Sequence, residues 1–261
     1  MWKPNEPRPW PEGHPISQEK AKSLADGRLG SFYEGIAISC SAPLLWFRST
    51  DNPPRILNNG TVTVVRTPKK LFGITAAHVV SGYEKTIKTG EVTLQIKDKA
   101  IRGLRIIDRC LRRDLATFDL DEQLITDLGL NPVSFASRAA AEGGGLLLAG
   151  YPGNARNYVA PMQIEWSPFF AVATARTITS DQISVLVPPD DPDVRNLLPL
   201  DCNLGGISGG PMISIFERGY TASHGLSGVI TEQPSYGEND LSIERIVGST
   251  TEAITELGNI R

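Results

Sequence analysis

The stretch DCNLGGISGGPM, residues 201–212, sets Ser208 among Gly205, Gly206, Gly209 and Gly210, and a proline follows. Such glycine density removes side-chain bulk and admits backbone angles that other residues avoid, so it makes either an ordinary loop or a backbone that can come close to a ligand. Read as G-x-S-x-G, residues 206–210 have the form of a sharp strand-to-helix turn that exposes a nucleophilic serine on a parallel α/β scaffold. That arrangement requires an acid and then a histidine after the serine. Only 53 residues follow Ser208, and their single histidine, His224, comes 16 positions on. The alternative places histidine and aspartate before the serine, and the segments around the stretch decide between the two.

Those segments are strands. GIAISC, GTVTVV, LFGITA, EVTLQI and IRGLRIID are short and β-branched and are separated by Gly, Pro, Asn and charged turns, the pattern of a barrel or sandwich. No long helical period is visible among them. The pattern relaxes in SRAAAEGGG, residues 137–145, and strands resume with LLLAGYP, FAVATARTI, QISVLV and GLSGVIT. The simplest partition is an arm with a short helix over 1–27, a first β unit over 28–136 and a second over 137–261. In the arm, residues 1–16 hold five prolines and suit an extended segment, loose or laid over the surface. SQEKAKSLAD then suits a helix with Ser17 as its cap and Gly27 past its end. Near the C-terminus, Ser249 followed by Glu252 has the spacing of a capping box and Gly258 supplies a stop, which predicts a terminal helix packed through Ala253, Ile254 and Leu257.

A chain of 261 residues with 40% apolar and 21% charged residues can bury a sizeable core and has the composition of a folded protein. A net charge of −3 favours neither a polyanion nor a membrane partner. The N-terminus lacks the apolar run of a secretory signal, and no apolar stretch approaches the length of a bilayer span. A soluble cytoplasmic protein is expected. Cys40, Cys110 and Cys202 are an odd set without C-x-x-C spacing, so buried free thiols are expected rather than disulfides or a zinc site. Lys97, Lys99, Arg102, Arg105, Arg109, Arg112 and Arg113 form a basic stretch, but Asp98, Asp108 and Asp114 interrupt it, and it reads as a solvated strand face rather than a nucleic-acid site. The sequon Asn59-Gly-Thr61 reads as chance without a secretory signal.

The order histidine, aspartate, serine is available. GITAAHVV places His78 at the end of an apolar strand, RRDLATFDL places Asp114 at the head of another 36 positions later, and Ser208 follows after 94 more. This is one of the chain orders in which a Ser-His-Asp triad recurs. A serine hydroxyl is a weak nucleophile, so a neutral imidazole must take its proton, and a carboxylate on the other ring nitrogen must fix the tautomer. His78 and Asp114 fit those roles, with Asp108 and Asp119 as competing acids. Negative charge then develops on the substrate oxygen and calls for backbone N–H donors already aimed at it. Gly206 and Ser208 are the expected donors. His14 and His224 are read as structural or solvated.

TAAH with His78, DLA with Asp114 and GISGGP with Ser208 resemble the three motifs of the chymotrypsin-like, or trypsin-fold, serine proteases, over roughly residues 30–258, and are nearest to the compact, disulfide-free bacterial-type members. The resemblance implies an all-β fold of two packed antiparallel six-stranded β-barrels, trypsin-like, here with a C-terminal helix, and a triad in the cleft between them. It implies a serine endopeptidase acting through an acyl-enzyme, with no cofactor and no metal; a catalytically inactive peptide-binding module on the same fold is the alternative. The expected partner is a peptide or protein substrate, with no nucleic acid and no membrane, and a regulatory partner protein is left open. In this family the residue six before the serine lies at the base of the primary pocket, here Cys202 beside Asp201. Thr231, Glu232 and Gln233 in GVITEQ are expected to border bound peptide by strand addition. Trypsin-like zymogens carry aspartate before the serine, where a newly cut N-terminus pairs with it. Ile207 occupies that place, which implies a loop held by packing and a chain competent without N-terminal cleavage.

Overall fold

The computed structural model describes residues 14–17, 19–21, 23, 30–48, 56–135, 140–160, 163–186, 204–218, 221–232 and 245–261. The two-residue strand β1 (His14–Pro15) comes first, and the helix Gly30–Ser39 leads into seven strands. These are β2 (Ser41–Arg48), β3 (Ile56–Arg66), β4 (Leu71–Ala76), β5 (Val92–Ile96), β6 (Lys99–Ile101), β7 (Ile106–Cys110) and β8 (Leu115–Asp119). They form one sheet in the order β6-β5-β2-β3-β4-β8-β7. Between them the helix Ala77–Ile87 follows β4 without a break, and the helix Glu122–Leu128 follows β8.

The later half contributes β9 (Gly145–Gly150), the hairpin β10 (Arg156–Ala160) and β11 (Gln163–Trp166), then β12 (Phe169–Ile178), β13 (Gln182–Leu186), β14 (Pro211–Arg218), β15 (Thr221–Glu232) and β16 (Arg245–Thr250). Apart from the hairpin, these run β14-β15-β16-β13-β12-β9. Pairing of Met212 with Leu148 and of Ser214 with Leu146 joins the two ends, closing a six-stranded barrel. The first sheet carries seven strands, and among the described residues its edge strands β6 and β7 do not pair, so closure of a second six-stranded barrel is not seen there.

Side chains alternate across a strand, and here both sides are apolar. In β9, Leu146 and Leu148 enter the barrel interior with Met212, Ile207 and Ile246, whereas Leu147 and Ala149 point to a second core with Ile213, Phe72 and Ile74. β12 repeats the division, with Phe169 and Ala171 inside and Phe170 and Val172 outside. That second core takes side chains from both sheets and is the seam between the halves. A third core, with Trp46, Val62, Val64, Leu94 and Phe118, fills the first half. Strands covered on both faces read as continuous apolar runs, which is why LLLAG carries no polar alternation.

The N-terminal arm is laid over the barrel where it is described. His14 and Pro15 pair with Glu217 and Phe216 of β14, and the Gly145 N–H donates to the Ile16 carbonyl at 2.9 Å. Residues 19–21 and 23 are helical, and the Lys20 N–H donates to Ser17 Oγ at 3.3 Å, as a cap at Ser17 requires. Gly27 lies outside the described residues.

Three sequence expectations are corrected. GIAISC is not a strand: it completes the helix Gly30–Ser39, whose buried Gly30, Tyr33 and Ala37 follow helical spacing despite the β-branched content. The helices Ala77–Ile87 and Glu122–Leu128 interrupt the strands; the second carries an Asp121 cap and ends at Gly129 in the left-handed region. The expected C-terminal helix is absent. Ser249 and Thr250 belong to β16, paired on one side with β15 and on the other with β13, and only a 3₁₀ turn, Thr251–Ala253, follows. Two ladders of backbone hydrogen bonds outweigh a local capping box. Ala253 and Ile254 are still buried, whereas Leu257 is exposed.

Cys40 and Cys110 are free thiols, and burial pushes the Cys40 thiol up to about 12, which makes it unreactive at neutral pH. Cys202 lies outside the described residues.

Phe118 is buried in the third core, and a methyl group placed on the facing Gly73 would lie 2.6 Å from its ring. Phe118→Ala is expected to destabilise the chain by about 3–5 kcal/mol. Urea unfolding should show a lower midpoint with an unchanged slope; a midpoint equal to wild type would mean that this ring does not fill the core.

Candidate active site

The site is assembled from both halves. His78 is the second residue of the helix that continues directly from β4, so the end of a buried strand fixes its backbone. Asp114 closes the turn between β7 and β8 at φ +49, a left-handed conformation rare for a residue with a side chain. From there it reaches the first turn of the His78 helix three times. Its carbonyl accepts from the Ala77 N–H at 3.0 Å, its Oδ1 from the His78 N–H at 2.8 Å, and its Oδ2 meets His78 Nδ1 at 2.6 Å. The first two bonds satisfy N–H groups that a helix start leaves unpaired, where the helix dipole favours negative charge. An ionised carboxylate only accepts, so the third places the imidazole proton on Nδ1 and leaves Nε2 as an acceptor.

The competing acids are engaged elsewhere. Asp108 accepts from the Ile260 N–H at 2.8 Å, and Asp119 pairs with Lys70 at 2.7 Å. His224 is partly buried, and desolvation holds its pKa below the ordinary histidine value. The side chain of His14 lies outside the described residues.

Ser208 is 2% exposed and lines a cavity of about 350 Å³ together with Trp46, Asn58, Asn59, His78, Asn154 and Gly206, among others. His78 and Ser208 are therefore walls of one space. The loop before the serine is fixed from β3. The Thr61 hydroxyl donates to the Gly206 carbonyl at 2.9 Å and accepts from the Tyr151 N–H at 3.0 Å, while the Thr61 N–H donates to the Ser208 carbonyl at 2.8 Å. Thr63 Oγ1 donates to the Gly209 carbonyl at 2.7 Å. Asn59 Nδ2 donates to the Tyr151 carbonyl at 3.0 Å, which buries the asparagine of the sequon in a structural role. From the barrel side, the Gly209 N–H donates to the Ile230 carbonyl at 2.7 Å.

Glycine is required at two of these positions. Gly206 has φ +107, and a Cβ there would lie 2.2 Å from Asn59 Nδ2; Gly209 has φ +96, and a Cβ would lie 1.9 Å from the Thr61 carbonyl oxygen. The Gly205 carbonyl accepts from the Gly153 N–H at 2.6 Å, and in a trans peptide the Gly206 N–H must then point to the opposite side. The Ile207 carbonyl accepts from the Gly210 N–H at 2.8 Å, which by the same geometry turns the Ser208 N–H away from it. Ile207 itself is fully buried with Leu148, Met212 and Ile230, the packed loop that an apolar residue in this place implies.

The expected pocket residues stand differently. Thr231 is buried with its hydroxyl turned to the Val247 carbonyl, and it is not among the residues lining the cavity. Glu232 ends β15, and its side chain, like Cys202 and Gln233, lies outside the described residues. Sequence reasoning missed the hydroxyls of Thr61 and Thr63 and the amide of Asn59. Their one signal was polar residues inside a strand otherwise as apolar as VTVV. Among the described residues no group of three or more His, Cys, Asp or Glu is placed to hold a metal, and no helix is long and apolar enough to cross a membrane.

A mostly β chain with a closed six-stranded barrel, and with a histidine-aspartate pair facing a glycine-rich serine loop, has the architecture of a chymotrypsin-like peptidase. The trypsin-like peptidase domain matches residues 60–218, and the chain belongs to that family. A solved structure described as "Aromatic interactions drive the coupled folding and binding of the intrinsically disordered Sesbania mosaic virus VPg protein" is 12% identical over 82% of this chain and 92% of that chain, with a TM-score of 0.43. No curated protein matches the chain in sequence.

Thr61→Val removes the hydroxyl that serves both the Gly206 carbonyl and the Tyr151 N–H, leaving two buried polar groups unpaired at about 1–3 kcal/mol each. Urea unfolding should show a loss of about 2–6 kcal/mol in total. A variant as stable as wild type would show that Thr61 does not hold the loop.

Proposed function

We propose that the chain is a serine endopeptidase that uses Ser208 as nucleophile, His78 as general base and acid, and Asp114 as the group that orients His78. The observation that carries this reading is the 2.6 Å contact between His78 Nδ1 and Asp114, beside a cavity that Ser208 also lines. The same proposal takes residues 28–136 and 137–261 as two barrel units with the site between them.

In this mechanism Ser208 Oγ attacks the carbonyl carbon of the scissile bond as its proton passes to His78 Nε2. The charge that develops on the carbonyl oxygen is taken by the N–H groups of Gly206 and Ser208, each worth about 3 kcal/mol of transition-state stabilisation. Collapse breaks the C–N bond, and the proton on His78 goes to the leaving amine. The acyl-enzyme is then hydrolysed by a water whose proton returns through His78, restoring the serine. Asp114 stabilises the imidazolium formed in each half without taking up a proton. Peptide binds along Thr231, Glu232 and Gln233, with Cys202 at the base of the primary pocket.

A mixed-sequence peptide library incubated with wild type, Ser208→Ala and His78→Ala tests the reading by mass spectrometry. Wild type should cleave, and each substitution should reduce the rate about 10⁴-fold or more. Cleavage by Ser208→Ala at the wild-type rate overturns the assignment. Peptide retention by wild type without cleavage would favour the inactive binding module.

A further inference from the structure

We propose that Arg113 is a positioning residue: it anchors the turn that carries Asp114 to the second half of the molecule and so holds the aspartate against His78. The consequence for turnover rests on the peptidase reading above, whereas the geometry stands apart from it.

Asp114 holds a left-handed conformation that a residue with a side chain keeps only where its surroundings impose it. Within its own turn the restraint is slight, a 3.2 Å bond from the Asp114 N–H to the Leu111 carbonyl. The stronger grip lies one residue earlier and comes from the barrel. The Arg113 carbonyl accepts from the Ser249 hydroxyl of β16. Its guanidinium Nη2 meets Asp181 Oδ1 at 2.6 Å, and Nη1 lies 3.4 Å from the Ser180 carbonyl.

Asp181 is a firm attachment point. It sits in the turn between β12 and β13, where the Thr250 N–H donates to its carbonyl at 3.0 Å and Thr250 Oγ1 donates to the Ser180 carbonyl at 2.8 Å. β16 in turn pairs with β15, and Ile230 of β15 exchanges hydrogen bonds with Gly209 and Gly210 beside Ser208. The strand pair β15-β16 thus reaches the aspartate turn at one point and the serine loop at another.

Arg113 is an unlikely choice if stability alone were at stake. Its side chain is only 10% exposed, and its Nε–H has no partner among the described residues. A largely covered arginine that leaves one donor unsatisfied and pairs with a partly exposed carboxylate adds little net stability, and fixing an arrangement is the better-attested use of such a pair. Arg112 pairs with the same carboxylate, but its side chain is 66% exposed, which makes it the natural comparator.

The test uses the full chain carrying Arg113→Gln, Arg113→Lys, Asp181→Asn or Arg112→Gln, with two readings. One is the far-downfield proton resonance of the hydrogen bond between His78 and Asp114; the other is kcat and KM for peptide hydrolysis. Arg113→Gln and Asp181→Asn should broaden or abolish the resonance and lower kcat about 10- to 100-fold, as a small misplacement of a catalytic group does, with KM little changed. Arg113→Lys should recover part of both, and Arg112→Gln should stay near wild type. A folded Arg113→Gln that keeps the wild-type resonance and kcat overturns the proposal, as does a wild type that lacks the resonance. If Arg113→Gln fails to fold, Asp181→Asn decides by the same two readings. A resonance that depends on Arg113 in a chain that cleaves nothing would uphold the anchoring and count against the peptidase reading instead.

Discussion

Hydrogen bonds from two threonine hydroxyls of β3, those of Thr61 and Thr63, join the serine loop to the other half of the chain. His78 and Asp114 are carried by a helix and a turn of the first half and Ser208 by the loop entering the barrel, so their register depends on bonds that cross between the halves. Thr61 donates to Gly206, accepts from Tyr151 and offers its N–H to the Ser208 carbonyl. These bonds fix the Gly206–Ile207 and Ser208–Gly209 peptides from outside the loop. Hydrophobic packing alone would not set their orientation, because it is non-directional. The buried Ile207 then supplies apolar contact under the loop, where a zymogen would need a charged partner.

A second constraint is electrostatic. The helix starting at Ala77 presents unpaired N–H groups and the positive end of its dipole, and Asp114 satisfies both while its other oxygen meets the imidazole. The same carboxylate therefore caps a helix and selects a tautomer. The strained backbone at Asp114 is tolerable because bonds on both sides enforce it.

Much of this was legible in the sequence. The strands read from their β-branched content, and the three motifs identified His78, Asp114 and Ser208, which the structure places around one cavity or in direct contact. The helix Gly30–Ser39 was hidden because its isoleucines favour strands locally, whereas its burial follows a period that only the packed core reveals. Ser249 followed by Glu252 mimicked a helix start, but pairing on both sides keeps Ser249 in β16, where its hydroxyl reaches Arg113. Asn59-Gly-Thr61 read as a chance sequon and Arg113 as one of several solvated cations. Both make contacts between segments far apart in the chain, and no local pattern encodes such a contact.

The central claim is that a preformed loop makes Ser208 a nucleophile in the chain without N-terminal trimming. Intact-mass spectrometry of the untrimmed chain after exposure to a fluorophosphonate tests it directly, with peptide mapping to locate the adduct. The account predicts one phosphonyl group per chain, on Ser208, at the full starting mass. An unmodified chain that acquires the adduct only after an N-terminal cut, in proportion to the fraction cut, would contradict it.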